Sequence, residues 1–122
     1  MMKKRILLVE DEKDMMEMVK FRLEQAGFEV TTAYDGETVM DTLNHELPDL
    51  ILLDLMLPRI DGYEVCRRLK ADEQYKKVPI AMFTARASES DKKRGYEVGA
   101  DAYITKPFEP GEFLNKIRQL FN

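Results

Sequence analysis

Short apolar runs alternate with amphipathic stretches of helical period along the whole chain, and this alternation constrains the fold more than any other feature. Strands of a parallel sheet need crossover connections, so the pattern predicts repeated βαβ units. The apolar runs cover residues 6–9, 28–33, 50–53, 79–84 and 101–104. Three of them are nearly continuous, as expected of strands buried on both faces.

The stretches between the runs carry apolar residues at helical spacing. Gly27 follows the first stretch where a helix C-cap is expected. The stripes are Met15, Val19, Leu23 and Ala26; Val39, Met40 and Leu43; Tyr63, Cys66 and Leu69; and Phe113, Ile117, Leu120 and Phe121. The fourth helix, over residues 89–98, is mostly polar, so we expect it to be held loosely and to shift easily. A surface helix without a signalling role fits the same composition.

These elements predict an α/β fold with a doubly wound, five-stranded parallel sheet in the order 2-1-3-4-5, of the flavodoxin-like type. No linker or repeat interrupts the 122 residues, so we interpret residues 1–122 as one domain. Cys66 falls in the apolar pattern and is interpreted as a buried structural thiol. His45, near the end of the second helix, is expected to be solvated and not to donate phosphate.

Charge and the N-terminal sequence limit the partners. A formal net charge of -4 disfavours direct binding to nucleic acid or to an anionic membrane, so a protein partner is expected. The opening residues MMKKR are followed by only four apolar residues before Glu10, too few for a signal peptide or a membrane span. We therefore expect a cytoplasmic protein.

Polar residues stand at the ends of four of the five strands. Functional groups of open parallel sheets gather beyond the carboxyl ends of the strands. The residues there are Glu10, Asp11 and Glu12; Asp54; Thr84 and Ala85; and Lys106 and Pro107. In the expected order, Asp54 is flanked at about 4.8 Å by the strands that carry the acids and Thr84. Lys106 lies about 10 Å away along the sheet, but its four-carbon stem can return the ammonium to the site.

Three carboxylates brought together in this way favour a divalent cation. Two like charges about 4 Å apart repel by roughly 4 kcal/mol at an effective dielectric of 20, and a metal ion relieves that repulsion among Glu10, Asp11 and Asp54. Oxygen ligands without His or Cys select a hard ion, and Mg²⁺ fits one or two carboxylates completed by water and phosphate.

With the metal bound, Asp54 stays ionised and can act as the nucleophile that forms an aspartyl phosphate. Lys106 and the Thr84 hydroxyl can then bind phosphoryl oxygens, because such catalysis consists mainly of positioning and charge stabilisation. Each feature alone is weak evidence, since acidic triplets are usually solvated turns and an Asp after an apolar run is often a helix cap. Their occurrence on successive strand ends is much more specific.

Together these residues resemble the receiver domain of two-component response regulators, a CheY-like fold, from Arg5 to Phe121. The matching segments are ILLVEDE at 6–12, DLMLPRIDG at 54–62, FTA at 83–85 and GADAYITKPF at 99–108. The departures are small: Val39 stands where alanine is frequent, and the side chains at Met56 and Arg86 vary in the family and would tune the removal of phosphate by water.

The resemblance implies roles for individual residues. Glu10 and Asp11 would be the acid pair of the metal site, and Asp54 the phosphoacceptor, while Met56 would offer its backbone carbonyl to Mg²⁺. Thr84 would be the switch hydroxyl, Lys106 the catalytic lysine, and the bond from Lys106 to Pro107 a cis peptide. Tyr103 matches the aromatic residue that turns inward in the switch, although packing alone would also explain an aromatic residue in a strand.

The function implied is a phosphorylation-dependent signalling switch, and not a conventional enzyme, although it catalyses its own phosphorylation and dephosphorylation. A histidine kinase or histidine phosphotransfer protein would dock near the first helix, where Met15, Met16 and Met18 would offer an adaptable surface if exposed, although most of them are expected in the core. A downstream protein would bind the face of helix 4, strand 5 and helix 5, and phosphorylation could also drive homodimerisation.

Three alternative functions fit the sequence less well. A haloacid-dehalogenase-type phosphatase needs a second Asp two residues after the first, where this chain has Met56. A flavodoxin needs a hydroxyl-rich phosphate loop after strand 1, whereas this loop is acidic. A receiver-like interaction module that works without phosphorylation is the more serious alternative, and the presence of every site residue argues against it.

Overall fold

The structure is a computed structural model and describes residues 3–121; residues 1, 2 and 122 of the predicted domain lie outside the described part. Five parallel strands alternate with five helices in that part. The strands are β1 (Arg5–Val9), β2 (Glu29–Ala33), β3 (Leu50–Leu53), β4 (Ile80–Thr84) and β5 (Ala102–Thr105). The helices are α1 (Lys13–Gln25), α2 (Gly36–His45), α3 (Gly62–Ala71), α4 (Glu89–Glu97) and α5 (Pro110–Gln119). The sheet order is β2-β1-β3-β4-β5, which confirms the predicted fold.

Two apolar clusters cover the two faces of the sheet, because successive side chains of a strand point to opposite sides. One cluster joins Leu7, Ile51 and Met82 to α2 and α3. The other joins Leu8, Leu52 and Phe83 to α1 and α5. The central strand β3 is buried on both faces, as its continuous apolar sequence predicts.

The structure differs from the predicted elements in several places. β2 begins at Glu29 rather than at residue 28, β5 covers Ala102–Thr105 rather than 101–104, and α4 ends at Glu97 rather than at residue 98. β4 begins at Ile80, one residue late, because Pro79 has no amide hydrogen to donate. Met40 was expected in the apolar stripe of α2 but is 38% exposed, and Gly36 lies in the buried face instead.

Other predicted features of the helices are confirmed. Gly27 has a φ of 98° immediately after the C-cap of α1, a left-handed conformation that glycine adopts without steric cost. Cys66 is fully buried, and its burial raises the pKa of the thiol to about 11. His45 is exposed at the end of α2. In α4 Gly95 is the buried residue, so the packing of this helix is as sparse as its polar composition predicts.

Candidate phosphoacceptor and metal site

The sheet itself fixes the backbone of the candidate site. Leu53 pairs with Val9 on one side and with Met82 on the other, so the ends of β1, β3 and β4 lie side by side. Hydrogen bonds continue one residue past the strands: the Asp54 amide donates to the Val9 carbonyl at 3.1 Å and the Lys106 amide to the Thr84 carbonyl at 2.9 Å. The residues at these ends are therefore held as firmly as the strands.

The three predicted metal ligands lie together. Glu10, Asp11 and Asp54 each offer a carboxylate oxygen, and these oxygens lie within 4.8 Å of one another. Glu10 and Asp54 are buried, whereas Asp11 is exposed at the mouth of the site. Burial would leave two of the three negative charges poorly solvated, so the arrangement requires compensating positive charge.

Lys106 supplies part of that charge. Its ammonium is hydrogen-bonded to Glu10 Oε1 and lies 3.1 Å from Asp54 Oδ2, and its side chain is only 11% exposed. The ammonium also lies 4.9 Å from the centre of the Phe83 ring. The stem of Lys106 thus spans the sheet as predicted, and the peptide bond between Lys106 and Pro107 is cis. Three carboxylates face one ammonium, so the cluster carries an excess of negative charge.

The pKa of Glu10 is raised above its ordinary value. Burial is the largest cause, the hydrogen bond and charge of Lys106 act in the opposite direction, and the negative charge of Asp54 raises the pKa further. The amide of Glu12 also donates to Glu10 Oε2 at 3.3 Å. A cation that entered the cluster would favour the ionised form of Glu10 and oppose this upward shift.

The loop that follows β3 holds the Asp54 carboxylate and leaves no room for a larger residue at Gly62. The Met56 amide donates to Asp54 Oδ1 at 3.0 Å, while the Met56 side chain is 59% exposed. The Gly62 amide donates to the Leu55 carbonyl at 3.0 Å. A Cβ atom on Gly62 would lie 2.7 Å from Leu55 Cα and would also collide with the Asp54 carbonyl oxygen. Sequence reasoning missed this role of Gly62, because a close approach of two backbone segments leaves no local signal in the sequence.

Thr84 and Tyr103 meet at Arg86. The buried Thr84 hydroxyl accepts a hydrogen bond from the Arg86 amide at 3.3 Å. The Tyr103 hydroxyl donates to the Arg86 carbonyl at 2.7 Å. Tyr103 is 8% exposed, so its ring lies inward, beneath α4. The structure thus brings Glu10, Asp11, Asp54 and Lys106 into one cluster, and links the two predicted switch residues to each other through one backbone segment.

The family model for the response regulator receiver domain matches residues 6–118. The chain belongs to the response regulator receiver domain family. It is 48% identical over 117 residues to the phosphate regulon transcriptional regulatory protein PhoB of Escherichia coli, a match that covers 96% of this chain and 51% of PhoB. This receiver domain spans about half the length of the curated relatives it matches.

Solved structures show the same fold. The receiver domain is 37% identical to a response regulator structure from Chloroflexus aurantiacus, with a TM-score of 0.94 and coverage of 98% of both chains. It is 31% identical to the receiver domain of a sensor histidine kinase from Pseudomonas aeruginosa, with a TM-score of 0.89 and coverage of 98% of both chains. In that structure a magnesium ion is coordinated in the active-site cleft. Among the helices of residues 3–121, none is long and apolar enough to cross a membrane.

Proposed function

We propose that this receiver domain accepts a phosphoryl group on Asp54 in the presence of Mg²⁺ and thereby changes its binding to a protein partner. The observation that carries the proposal is the position of the Lys106 ammonium, 3.1 Å from Asp54 Oδ2, beside two further carboxylates. A carboxylate that only capped a helix would need neither the buried cation nor the neighbouring acids.

The donor set fits Mg²⁺. Glu10, Asp11 and Asp54 offer carboxylate oxygens. The proposed set adds the Met56 backbone carbonyl as a fourth oxygen. Hard oxygen ligands without nitrogen or sulfur are those that Mg²⁺ prefers. When bound, the ion supplies positive charge that stabilises phosphoryl oxygens and relieves repulsion among the carboxylates.

The protein groups then perform an in-line transfer. An Asp54 carboxylate oxygen forms a bond to phosphorus while the bond from phosphorus to the donor, a phosphohistidine nitrogen, breaks. The Lys106 ammonium and the Thr84 hydroxyl donate hydrogen bonds to the transferred group and balance its charge. Hydrolysis reverses the modification, because water attacks phosphorus and releases inorganic phosphate from Asp54. In this proposal, the side chains of Met56 and Arg86 tune the rate at which water removes the phosphoryl group.

The proposed partners follow from this chemistry. The phosphodonor is a histidine kinase or histidine phosphotransfer protein that docks beside α1, where Met18 is 42% exposed. The output surface is the face of α4, β5 and α5, which binds a downstream protein or a second phosphorylated copy. We propose a cytoplasmic location and no direct contact with nucleic acid or membrane, in line with the net charge of -4.

Intact mass after incubation with acetyl phosphate tests the function. We expect one adduct of about 80 Da that depends on Mg²⁺ and is lost in Asp54→Ala. Asp41→Asn, which changes an exposed acid of α2, is the matched control and should give the same adduct as the wild type. If folded, Mg²⁺-loaded protein gave no adduct, the proposal would be replaced by the interaction module that works without phosphorylation.

A further inference from the structure

Helix α4 is connected to the rest of the domain mainly by a polar cluster. We name Tyr63 of α3, Arg86 of the loop before α4, Asp91 of α4 and Tyr103 of β5 the α4 cluster. Because Gly95 is the residue of this helix that is buried, apolar packing contributes little to holding it in place. The polar contacts must therefore largely determine where α4 lies.

Tyr63 makes the contacts that bridge α3 and α4. Its hydroxyl lies 3.1 Å from the Asp91 carbonyl oxygen and 3.3 Å from Asp91 Oδ1, so it can donate to either. The guanidinium of Arg94 lies over its ring at 4.2 Å from the centroid, within the range of a cation–π contact. One buried side chain of α3 thus holds both the first and the second turn of α4.

The same carboxylate connects α4 to the switch residues. The guanidinium of Arg86 lies 3.4 Å from Asp91 Oδ1, and the Arg86 carbonyl accepts the hydroxyl of Tyr103. A Cβ on Gly95 would lie 3.1 Å from the Tyr103 ring, so α4 closes directly over that ring. Burial, with Tyr63 and Asp91 as further causes, raises the pKa of Tyr103, consistent with a tightly enclosed hydroxyl. A displacement of α4 would therefore uncover the Tyr103 ring and, through the ion pair between Asp91 and Arg86, would disturb the segment whose carbonyl accepts the Tyr103 hydroxyl.

We propose that Tyr63 is a positioning residue that holds α4 through Asp91 and thereby keeps Tyr103 inward. We call the contact of Tyr63 with Asp91 the tether. The effect of phosphorylation on it rests on the proposed function, whereas the tether itself does not. Tyr63 touches no reacting group; it acts on the equilibrium between the inward and outward positions of Tyr103. Loss of one neutral hydrogen bond should raise the opening of α4 by about fivefold.

Tyr63→Phe tests the tether, and Tyr75→Phe is its matched control. The Tyr75 hydroxyl donates to Asn44 Oδ1 of α2 at 3.3 Å, so the control removes an equivalent bond from another helix. Amide hydrogen exchange should accelerate about fivefold in α4 for Tyr63→Phe and leave α2 unchanged. Tyr75→Phe should spare α4. In protein labelled with 3-fluorotyrosine, the Tyr103 resonance should move toward that of a solvated ring in Tyr63→Phe alone.

The tether is overturned if α4 exchange and the Tyr103 resonance of Tyr63→Phe match those of the wild type, or if Tyr75→Phe changes them equally. The double variant Tyr63→Phe with Asp91→Asn should exchange faster in α4 than Asp91→Asn alone, because Asp91→Asn leaves the backbone carbonyl to which the Tyr63 hydroxyl also donates. Acetyl phosphate and Mg²⁺ should then return the Tyr103 resonance of Tyr63→Phe toward its buried position. A tether confirmed by exchange without this last response would contradict the proposed function and leave the tether standing.

Discussion

Asp11→Asn should reverse the order of stability between variant and wild type when Mg²⁺ is added. The substitution keeps the size of the side chain and removes one of three carboxylates whose oxygens lie within 4.8 Å of one another. In the metal-free protein Asp11 repels Glu10 and Asp54. In the metal-bound protein the same charge is a ligand. The variant should therefore gain stability in the first condition and lose its advantage in the second.

The magnitude follows from the distances. Two unit charges 4.8 Å apart repel by about 0.9 kcal/mol in a dielectric of 80, the value suited to the exposed Asp11. Asp11 takes part in two such pairs, and its attraction to Lys106 offsets part of their sum. We expect the metal-free variant to be more stable than the wild type by about 1 kcal/mol, or about 4 °C in melting temperature for a domain of this size.

Magnesium should reverse this order. At a concentration of about one hundred times the wild-type dissociation constant, binding stabilises the folded protein by about 2.7 kcal/mol. If loss of a ligand weakens binding about a hundredfold, the variant gains only about 0.4 kcal/mol. The wild type would then be the more stable protein by about 1 kcal/mol.

Urea denaturation in EDTA and in Mg²⁺ measures both differences. Asp14→Asn, which neutralises an exposed acid outside the cluster, serves as the control and should show the same response to Mg²⁺ as the wild type. If Mg²⁺ raised the free energy of unfolding equally in Asp11→Asn and in the wild type, Asp11 would not be a ligand of the metal. A variant less stable than the wild type in EDTA would show that repulsion by Asp11 does not destabilise the metal-free protein.

Three further predictions concern single residues. Lys106→Met should lower the free energy of unfolding at pH 7 by about 3 kcal/mol, because it leaves Glu10 buried without its cation. The loss should become smaller as the pH is lowered, because burial raises the pKa of Glu10 and favours its protonated form; a loss that does not change with pH in urea melts would contradict this. Cys66 binds its proton more tightly in the folded state, since its pKa is raised to about 11, so stability should fall as the pH rises from about 9 through about 11. Cys66→Ala should show a smaller alkaline loss in guanidinium melts, and an identical loss would exclude the thiol as a cause. Thr84→Ala should keep most of the phosphorylation measured by intact mass, but phosphorylation should no longer change partner binding. A binding titration in which phosphorylation changes partner binding as much as in the wild type would contradict the switch role of Thr84.

Much of this molecule could be predicted because two simple rules act on it. Side-chain period separates strands from helices, and parallel strands bring their carboxyl ends to one edge, which is enough to place Asp54 beside Glu10 and Thr84. The reach of Lys106 follows in the same way from the length of its side chain. The contact between Tyr63 and Asp91 could not be predicted, since it depends on how two helices that are distant in sequence approach each other.

Two local features also escaped prediction. Arg59 has a φ of 70°, a left-handed conformation that sequence reasoning assigns to glycine, and its guanidinium contacts Glu37 at 3.0 Å. Met40 is spaced like a core residue of α2, yet the helix turns Gly36 toward Ile60 and Val65 instead. In both cases tertiary contacts override the conformation or burial that the residue type favours locally.

The close approach of Gly62 to the backbone of Asp54 and Leu55 has a consequence for protein engineering. Since a Cβ atom cannot be accommodated there and the Gly62 amide bonds to the Leu55 carbonyl, the two ends of the loop from Asp54 to Gly62 are packed directly against each other. In a chimera of two receiver domains with a crossover inside this loop, the two ends of the loop would come from different proteins. Their packing contact would then combine residues from both proteins. A crossover before β3 or after the first turn of α3 would take Asp54, the loop and Gly62 from the same parent protein.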